Sequence, residues 1–411
     1  MYLNHLSLTN FRAFSRLDLE VPRRIVLFVG DNAQGKTTLL EAIYYLAALT
    51  SFHVHHDRQL INFIAAREPL AVARLVADYQ RGPTTHHLEV RLIQEATGLN
   101  GSVRVRKEAL LDGVKRPLSE VIGHFNAVIF LPHMSRIIEE GPEERRRYLN
   151  LAISQTSPAY TAALSEYSQA LTQRNALLKQ LNERGGDPDQ LIYWDEILAR
   201  RGAQIIQARI VAVQELERLA MRIHHRLTQG NEVLRMVYQP AFDPIPQPEG
   251  QMLLRLESPV DRSGLSLEQI RQGFARRLVD VRSEEIARGI TTVGPHRDEL
   301  RFLSNGVDLG DFGSRGQVRT TLLSLKLAEV SWMKEKTGQW PVLLLDEILA
   351  ELDIQRRADM LQALAESEQA VLTTTDLKLF NPEFLHQVNI WRVQGGTVRR
   401  VEQAEKDPKD F

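Results

Sequence analysis

The stretch Ile25-Val26-Leu27-Phe28-Val29-Gly30-Asp31-Asn32-Ala33-Gln34-Gly35-Lys36-Thr37-Thr38-Leu39-Leu40 decides the fold class. Ile25 to Val29 is a short, continuous, β-branched apolar run, the pattern of a strand buried on both faces of an α/β sheet. From Lys36 the period turns helical, with Leu39, Leu40, Ile43, Leu46 and Ala47 on one face. Strand, glycine loop and helix therefore follow one another. The loop matches G-x-x-x-x-G-K-[ST] at every fixed position. Its glycines allow backbone angles and close approach that a Cβ would block. Loop N–H groups and the helix N-terminus cradle phosphate oxygens. Lys36 is expected to reach the β and γ phosphates, and the Thr37 hydroxyl to ligate Mg²⁺. Gly30, Asp31, Asn32, Ala33, Gln34, Gly35, Lys36, Thr37 and Thr38 are thus the expected ATP cradle.

A second apolar run, Val342-Leu343-Leu344-Leu345, ends in Asp346-Glu347. A carboxylate at a buried strand tip can hold Mg²⁺ directly or through water, which assigns Asp346. Glu347 beside it can orient or deprotonate the attacking water. Between the two elements lies Gly313-Ser314-Arg315-Gly316-Gln317, opening a helix that carries Leu322, Leu325, Leu327 and Val330. A Ser-x-Gly-Gln loop at a helix start is either another anion-binding terminus or a capped helix start with Ser314 as N-cap. The chain already has a complete phosphate loop, so a second phosphate binder implies a composite site. Ser314, Gly316 and Gln317 of one subunit would close over ATP held by another. Asp353, in Glu351-Leu352-Asp353, falls where it could lie along that interface.

Composition bounds the remainder. The chain has 411 residues, 51 Lys+Arg against 52 Asp+Glu, a formal charge of −1 and no cysteine. That length allows more than one domain. Without cysteine there is no disulfide scaffold, thiolate zinc site, iron–sulfur cluster or cysteine nucleophile. Near neutrality excludes a histone-like binder but not a local basic patch. No run reads as a membrane span: the stretch 148–165, free of acids and bases, is broken by Asn150, Ser154, Gln155, Thr156 and Pro158. The start, Met1-Tyr2-Leu3-Asn4-His5, lacks a signal-peptide pattern. A cytoplasmic protein is expected.

The organisation expected is one α/β sheet domain split by helices. Leu17, Leu19 and Val21 alternate as on a half-buried strand, and residues 70–116 read as strands punctuated at Gly82-Pro83, Gly98 to Gly101 and Asp112-Gly113. Residues 143–234 read as an antiparallel helical arm turning at 182–188, followed by a proline-rich loop at 240–248, a helix over 267–288 and strand chemistry at 293–303. The expected segments are 1–140 with the phosphate loop, 141–290 as the helical lobe, and 291–411 with the Ser-x-Gly-Gln loop and acidic strand. The tail 403–411 reads as polar and frayed.

The chain resembles the RecF family, bacterial recombination-mediator ATPases related to the SMC and ABC families. The resemblance rests on Gly30 to Tyr44, Gly-Pro-Glu-Glu-Arg-Arg-Arg-Tyr-Leu at 141–149, Gly-Pro-His-Arg-Asp-Glu-Leu at 294–300, the run 313–329, and Leu-Leu-Leu-Asp-Glu-Ile-Leu-Ala-Glu-Leu-Asp at 343–353. It implies an ABC/SMC-type ATPase head with an inserted helical lobe. It also implies ATP-dependent homodimerisation with two composite sites, slow hydrolysis, and binding to duplex or gapped DNA. The implied task is to help RecR and RecO place RecA on gapped DNA. Arg12 would reach the phosphates from the first hairpin, as in SMC-type heads; as a residue alone it reads equally as a surface arginine. The chain departs from the family pattern at His53, His133, Arg315 and Val318. It also lacks the switch histidine of transport ATPases: Thr373-Thr374-Thr375 stands there, assigning γ-phosphate sensing to a hydroxyl such as Thr374. That absence, the helical insertion and the 294–298 segment weigh against the alternative, an ABC-type energising subunit of a transporter.

Three basic clusters are candidates for DNA: Arg104, Arg106, Lys107, Lys115 and Arg116; Arg145, Arg146 and Arg147; and the arm 197–235, with seven Arg against three Glu. For any single cluster a solvated, ion-paired face is the better reading. His296, Arg297 and Asp298 read either as a contact to nucleotide or dimer seam, or as a buried hydrogen-bonded corner.

Overall fold

In the computed structural model, which describes residues 1–54, 56–97, 102–245 and 260–401, the run at 25–29 forms the strand Arg24–Val29. The tail at 403–411, the turn at 98–101 and the 246–248 part of the proline loop lie outside the described residues. The chain divides into Met1–Met134 with Glu329–Phe411, and Ser135–Ala328.

The first unit holds two six-stranded sheets. One runs in the order Thr397–Arg400, Asn389–Gln394, Arg24–Val29, Gln369–Thr374, Val342–Asp346, Ala127–Phe130, parallel except for its terminal hairpin. Every residue of Gln369–Thr374 and Val342–Asp346 is buried, and both carry an apolar run, Ala370 to Leu372 and Val342 to Leu345. The other sheet is antiparallel, in the order Phe14–Glu20, Tyr2–Phe11, Leu70–Arg81, Thr84–Thr97, Ser102–Leu111, Val114–Arg116. Its alternating pattern buries Leu6, Leu8, Leu17, Leu19, Ala73, Leu75, Ala77 and Tyr79. The buried Gln369 amide joins the two sheets. It accepts from Leu3 N (2.7 Å) and donates to Leu3 O (2.9 Å) and Pro22 O (3.0 Å).

The second unit is built on the long helices Pro158–Arg184 and Ile192–Leu227, joined through Gly185 and Gly186 at φ 69° and 137°. They are antiparallel, because the bonded pairs 174–195, 166–201 and 160–209 run in opposite directions along them. Arg174, fully buried, binds Asp195 (2.7 Å), Glu285 (2.6 Å) and Thr291 (2.8 Å). Removing one partner of such a buried charge costs about 3–5 kcal/mol. The helices Pro142–Ser154, Leu267–Asp280 and Arg282–Arg288 complete the helical part.

The second unit extends beyond the helical segment expected at 141–290. The strand Glu299–Ser304 pairs with Leu234–Gln239 and Val307–Asp308 in a three-stranded sheet, so residues 291–328, with the Ser-x-Gly-Gln loop, group with the arm. Sequence order placed them with the acidic strand; strand pairing places them here.

The Gly-Pro-His-Arg-Asp segment forms a buried corner of this unit. Asp298, 1% exposed, accepts from Arg209 Nη1 (2.6 Å), Ala241 N (2.9 Å) and the Tyr238 hydroxyl. The His296 ring lies 2.8 Å from the Tyr167 hydroxyl at Nδ1 and 3.2 Å from Thr291 O at Nε2. A carbonyl only accepts, so Nε2 carries the hydrogen and Nδ1 accepts from Tyr167. Burial pushes the His296 pKa from 6.5 down to about 4, against the opposing pull of Thr291 O. The unfolded chain therefore binds a proton that the folded chain excludes between those values. Stability should fall as pH drops from about 6.5 toward about 4, by roughly 2 kcal/mol between pH 7 and 5. Urea midpoints at both pH values should show a smaller fall in His296→Gln; an identical fall would refute the assignment.

Candidate nucleotide site

The loop between Arg24–Val29 and the helix Lys36–Ala48 is shaped by two glycines. Gly35 has φ 108°, and a Cβ on Gly30 would come within 2.3 Å of Val393 O. Gln34 Oε1 accepts from Gly395 N at 2.7 Å, tying the loop to the hairpin of the sheet edge. Asp31, Asn32 and Ala33 are exposed at the mouth, and Gln34, Thr37 and Thr38 are half-buried. Lys36 is 4% exposed, with its ammonium satisfied by Gly30 O (2.7 Å), Asp31 O (3.0 Å) and Glu347 Oε1 (3.1 Å).

The fold brings the acidic strand to this loop. Thr37 Oγ1 lies 3.0 Å from each carboxylate oxygen of Asp346, itself 7% exposed. A hydroxyl and a carboxylate so placed are an oxygen donor set for a hard cation, and they fit Mg²⁺. Glu347 stands at φ 49°, an uncommon backbone angle for a residue other than glycine and one typical of functional sites.

The strand Gln369–Thr374 lies between the loop strand and the acidic strand, and supplies a residue the motifs did not mark. Thr373 is in register with Asp346 and donates to its Oδ1 at 2.7 Å while accepting from Glu347 N at 3.1 Å. Thr374, expected to sense the γ-phosphate, is 2% exposed and spends its hydroxyl on a turn, donating to Asp376 O (3.0 Å) and accepting from Asp376 N (3.2 Å). Alternation along the strand separates the two threonines. The only signal in the sequence was an apolar run ending in threonines.

Arg12 is drawn toward the loop helix. Its Nε and Nη2 lie 2.8 and 3.4 Å from the Glu41 carboxylate, which is fully buried one turn beyond Thr37. Ser51 also donates to Glu41. Motif reading missed Glu41, whose spacing of four from Thr37 was the available signal.

In the second unit, Ser314 and Gln317 form a reciprocal cap: Ser314 Oγ accepts from Gln317 N (3.3 Å), and Gln317 Oε1 from Ser314 N (3.1 Å). Gln317 Nε2 donates to Glu232 at 3.3 Å. Ser314, Arg315 and Gly316 are exposed, and Val318 is buried. Asp353 caps the helix Ile354–Glu366 by accepting from Arg356 N at 2.9 Å; that bond and the Arg356 guanidinium hold its carboxyl below the ordinary value. The departures at His53 and His133 share one place, with ring centroids 5.7 Å apart.

Most residues of two of the basic clusters are spent on structure. Arg106 pairs with Glu95 (3.2 Å) and Glu108, Lys115 with Glu108 (2.6 Å) and Lys107 with Asp57 (3.2 Å). Arg145 binds Glu299 (2.7 Å), Arg146 binds Asp298 O (2.8 Å), and Arg147 faces Glu144 (3.9 Å). In the arm, Arg201 pairs with Glu166 and Arg235 with Glu217, while Arg209 is buried. Arg200, Arg218, Arg222 and Arg226 are exposed.

Residues 2–397 match the model of the RecF/RecN/SMC N-terminal domain. The chain is 38% identical over 407 residues to the DNA replication and repair protein RecF of Chloroflexus aurantiacus, covering 97% of this chain and 99% of that one. Against the protein of the same name from Lacticaseibacillus casei it is 36% identical over 405 residues, covering 98% and 100%. Among solved structures it matches that of the recombination mediator protein RecF with ATP, described as in the RecFOR pathway. The TM-score is 0.81 at 30% identity, with 98% of each chain covered.

If the Thr373 hydroxyl orients Asp346, Thr373→Val should lower ATP turnover about 10–100-fold while nucleotide still binds. Thr374→Val should leave turnover within about twofold, because alternation turns it away from the carboxylates. Steady-state hydrolysis and nucleotide titration of both variants would check this; equal effects would refute it.

Proposed function

The chain belongs to the RecF family of SMC-type ATPases, and from that premise we propose that it is an ATP-dependent DNA-binding protein of recombinational repair and replication. One observation carries the reading: Thr37 with Asp346, and Lys36 with Glu347, meet within 3.0 and 3.1 Å although more than three hundred residues separate them. The set fits ATP and Mg²⁺. Mg²⁺, when bound, supplies neutralisation of phosphate charge. Lys36 and the loop N–H groups bind and orient the phosphates, Asp346 and Thr37 hold the cation, and Glu347 orients water. Glu347 is held by Lys36 in the same chain, and must exchange that partner before it can act on water. That suits slow hydrolysis.

Ser314 and Gly316 support a composite site in an ATP-dependent homodimer. Glycine lowers helix propensity relative to alanine. Among the described residues, a Cβ at 316 would meet only Ser314 Oγ, at 4.0 Å. A glycine that its own fold does not need suits close approach by something outside the chain. The capped helix start also keeps the Ser314 hydroxyl hydrogen free to donate outward. Gln317 would hold the cap, Asp353 would lie at the seam, and Arg12 would be poised by Glu41.

The relatives, matched over nearly the whole chain, are repair proteins, which leaves the transporter alternative without support. No helix among the described residues is long and apolar enough to cross a membrane. The full reading is a cytoplasmic protein that dimerises on ATP, binds duplex or gapped DNA, and works with RecO and RecR to promote RecA loading.

Sedimentation with and without ATP, in the presence of gapped duplex, tests it. Wild type should dimerise with ATP, and Lys36→Ala should not. Ser314→Arg should bind ATP and stay monomeric, and Gly316→Ala should fold normally yet dimerise at least about tenfold more weakly. Glu347→Gln should accumulate an ATP-bound dimer. Dimers of Ser314→Arg with ATP would sink the composite site.

A further inference from the structure

The turn that carries Ser314 is held by two bonds at the exposed surface, where water competes for each. Gln317 Oε1 accepts from Ser314 N at 3.1 Å, and Ser314 Oγ accepts from Gln317 N at 3.3 Å. The first of these depends on which way the Gln317 amide faces. Turned by half a rotation, the amide would offer Nε2 where Oε1 stands. Donor would then face donor at Ser314 N, and the cap would keep one bond of its two.

The far end of that amide meets Glu232, 85 residues earlier in the chain, with Gln317 Nε2 donating to Glu232 Oε1 at 3.3 Å. A carboxylate only accepts, so it draws Nε2 to itself and leaves Oε1 for Ser314. Burial pushes the Glu232 carboxyl upward, but bonds from Ser304, His224 and Gln317 hold it below its ordinary value. It is therefore ionised, and acceptor-only, at neutral pH.

Glu232 is itself fixed from the opposite side. The buried Ser304 donates to its Oε2 at 2.8 Å, and Nε2 of the fully buried His224 lies 3.2 Å from the same oxygen. Strand pairing sets Ser304 opposite Leu234. Asn305 and Val233 are joined in both directions, by Asn305 N to Val233 O (3.0 Å) and Val233 N to Asn305 Oδ1 (2.9 Å). His224 also lies 3.2 Å from Ser324 Oγ, on the helix that Ser314 opens. The bonds to Ser304 and His224 already fasten the end of the arm to the three-stranded sheet. The third bond does something else: it sets the amide that holds the Ser314 cap.

We propose that Glu232 is a positioning residue of the composite site. Through the Gln317 amide it holds the Ser314 turn in the one conformation that leaves the hydroxyl hydrogen available to a phosphate bound by a second copy of the chain. The proposal rests on the composite-site reading above and extends it to a residue remote in sequence.

The test compares Glu232→Ala with Ser304→Ala, which takes a donor from the same carboxylate but leaves the Gln317 bond in place. Both should lower the urea midpoint. Both should titrate ATP as monomers within about twofold of wild type, because the phosphate loop belongs to the other unit. With ATP, Glu232→Ala should dimerise at least about tenfold more weakly, and Ser304→Ala within about twofold of wild type. Amide exchange at Ser314, followed by NMR in the ATP-free chain, reads the cap without any dimer. It should quicken about threefold or more in Glu232→Ala and stay at the wild-type rate in Ser304→Ala. The double variant Glu232→Ala/Gln317→Glu should restore slow exchange, since a carboxylate accepts from Ser314 N whichever way it turns. Wild-type dimerisation or wild-type Ser314 exchange in Glu232→Ala would overturn the proposal and leave the composite site standing. Equal losses of dimerisation in the two single variants would overturn it as well, by assigning Glu232 to stability alone. A wild-type chain that fails to dimerise with ATP would overturn the composite-site reading, and this proposal with it.

Discussion

The nucleotide site depends on the register of one parallel strand. Gln369–Thr374 separates the loop strand from the acidic strand, and its pairing sets Thr373 opposite both Phe28 and Asp346. Side chains alternate along a strand, so a slip of one residue would turn Thr373 away and bring Thr374 to the carboxylate. The Asp346 carboxylate would then lose its 2.7 Å donor and Glu347 N its 3.1 Å acceptor. An apolar strand buried on both faces resists such a slip weakly by hydrophobicity alone, since either face is acceptable to the core. The polar tip therefore supplies a preference that the core cannot. The same tip holds Glu347 in its left-handed conformation, so strain at the site and strand register depend on one another.

Charge buried in this protein is consistently charge in use. Lys36 has three acceptors, and Glu41 binds both Arg12 and Ser51. Arg174 and Arg209 each fasten several segments of the second unit. An ion taken out of water costs several kcal/mol unless its partners restore what hydration supplied. Hydrophobic residues of similar size could stabilise such positions equally well. What the ionic solution adds is directionality: Arg12 is held against the loop helix by a bidentate contact that an apolar pair could not orient.

The motif residues were legible because their chemistry requires fixed spacing along the chain. Gly30 to Thr37 and Leu343 to Glu347 took their expected places for that reason, as did the two long helices with their glycine turn. The residues that sequence reading missed act through spatial neighbours. Thr373 and Glu41 are ordinary in sequence, and gain roles only when a strand register or a helical turn brings them to a carboxylate or a guanidinium. The Ser-x-Gly-Gln loop was legible as two alternatives. The structure shows the cap, which uses the acceptor side of the Ser314 hydroxyl and leaves its hydrogen. The grouping of 291–328 with the arm was not legible, since it depends on pairing between strands more than fifty residues apart.

The basic clusters failed as sequence signals for the same reason. Counting arginines ignores partners, and in a chain of 51 bases and 52 acids many bases find one. On the antiparallel sheet Arg106, Lys107 and Lys115 are met by Glu95, Glu108 and Asp57, and the triple arginine by Glu299, Glu144 and a backbone carbonyl.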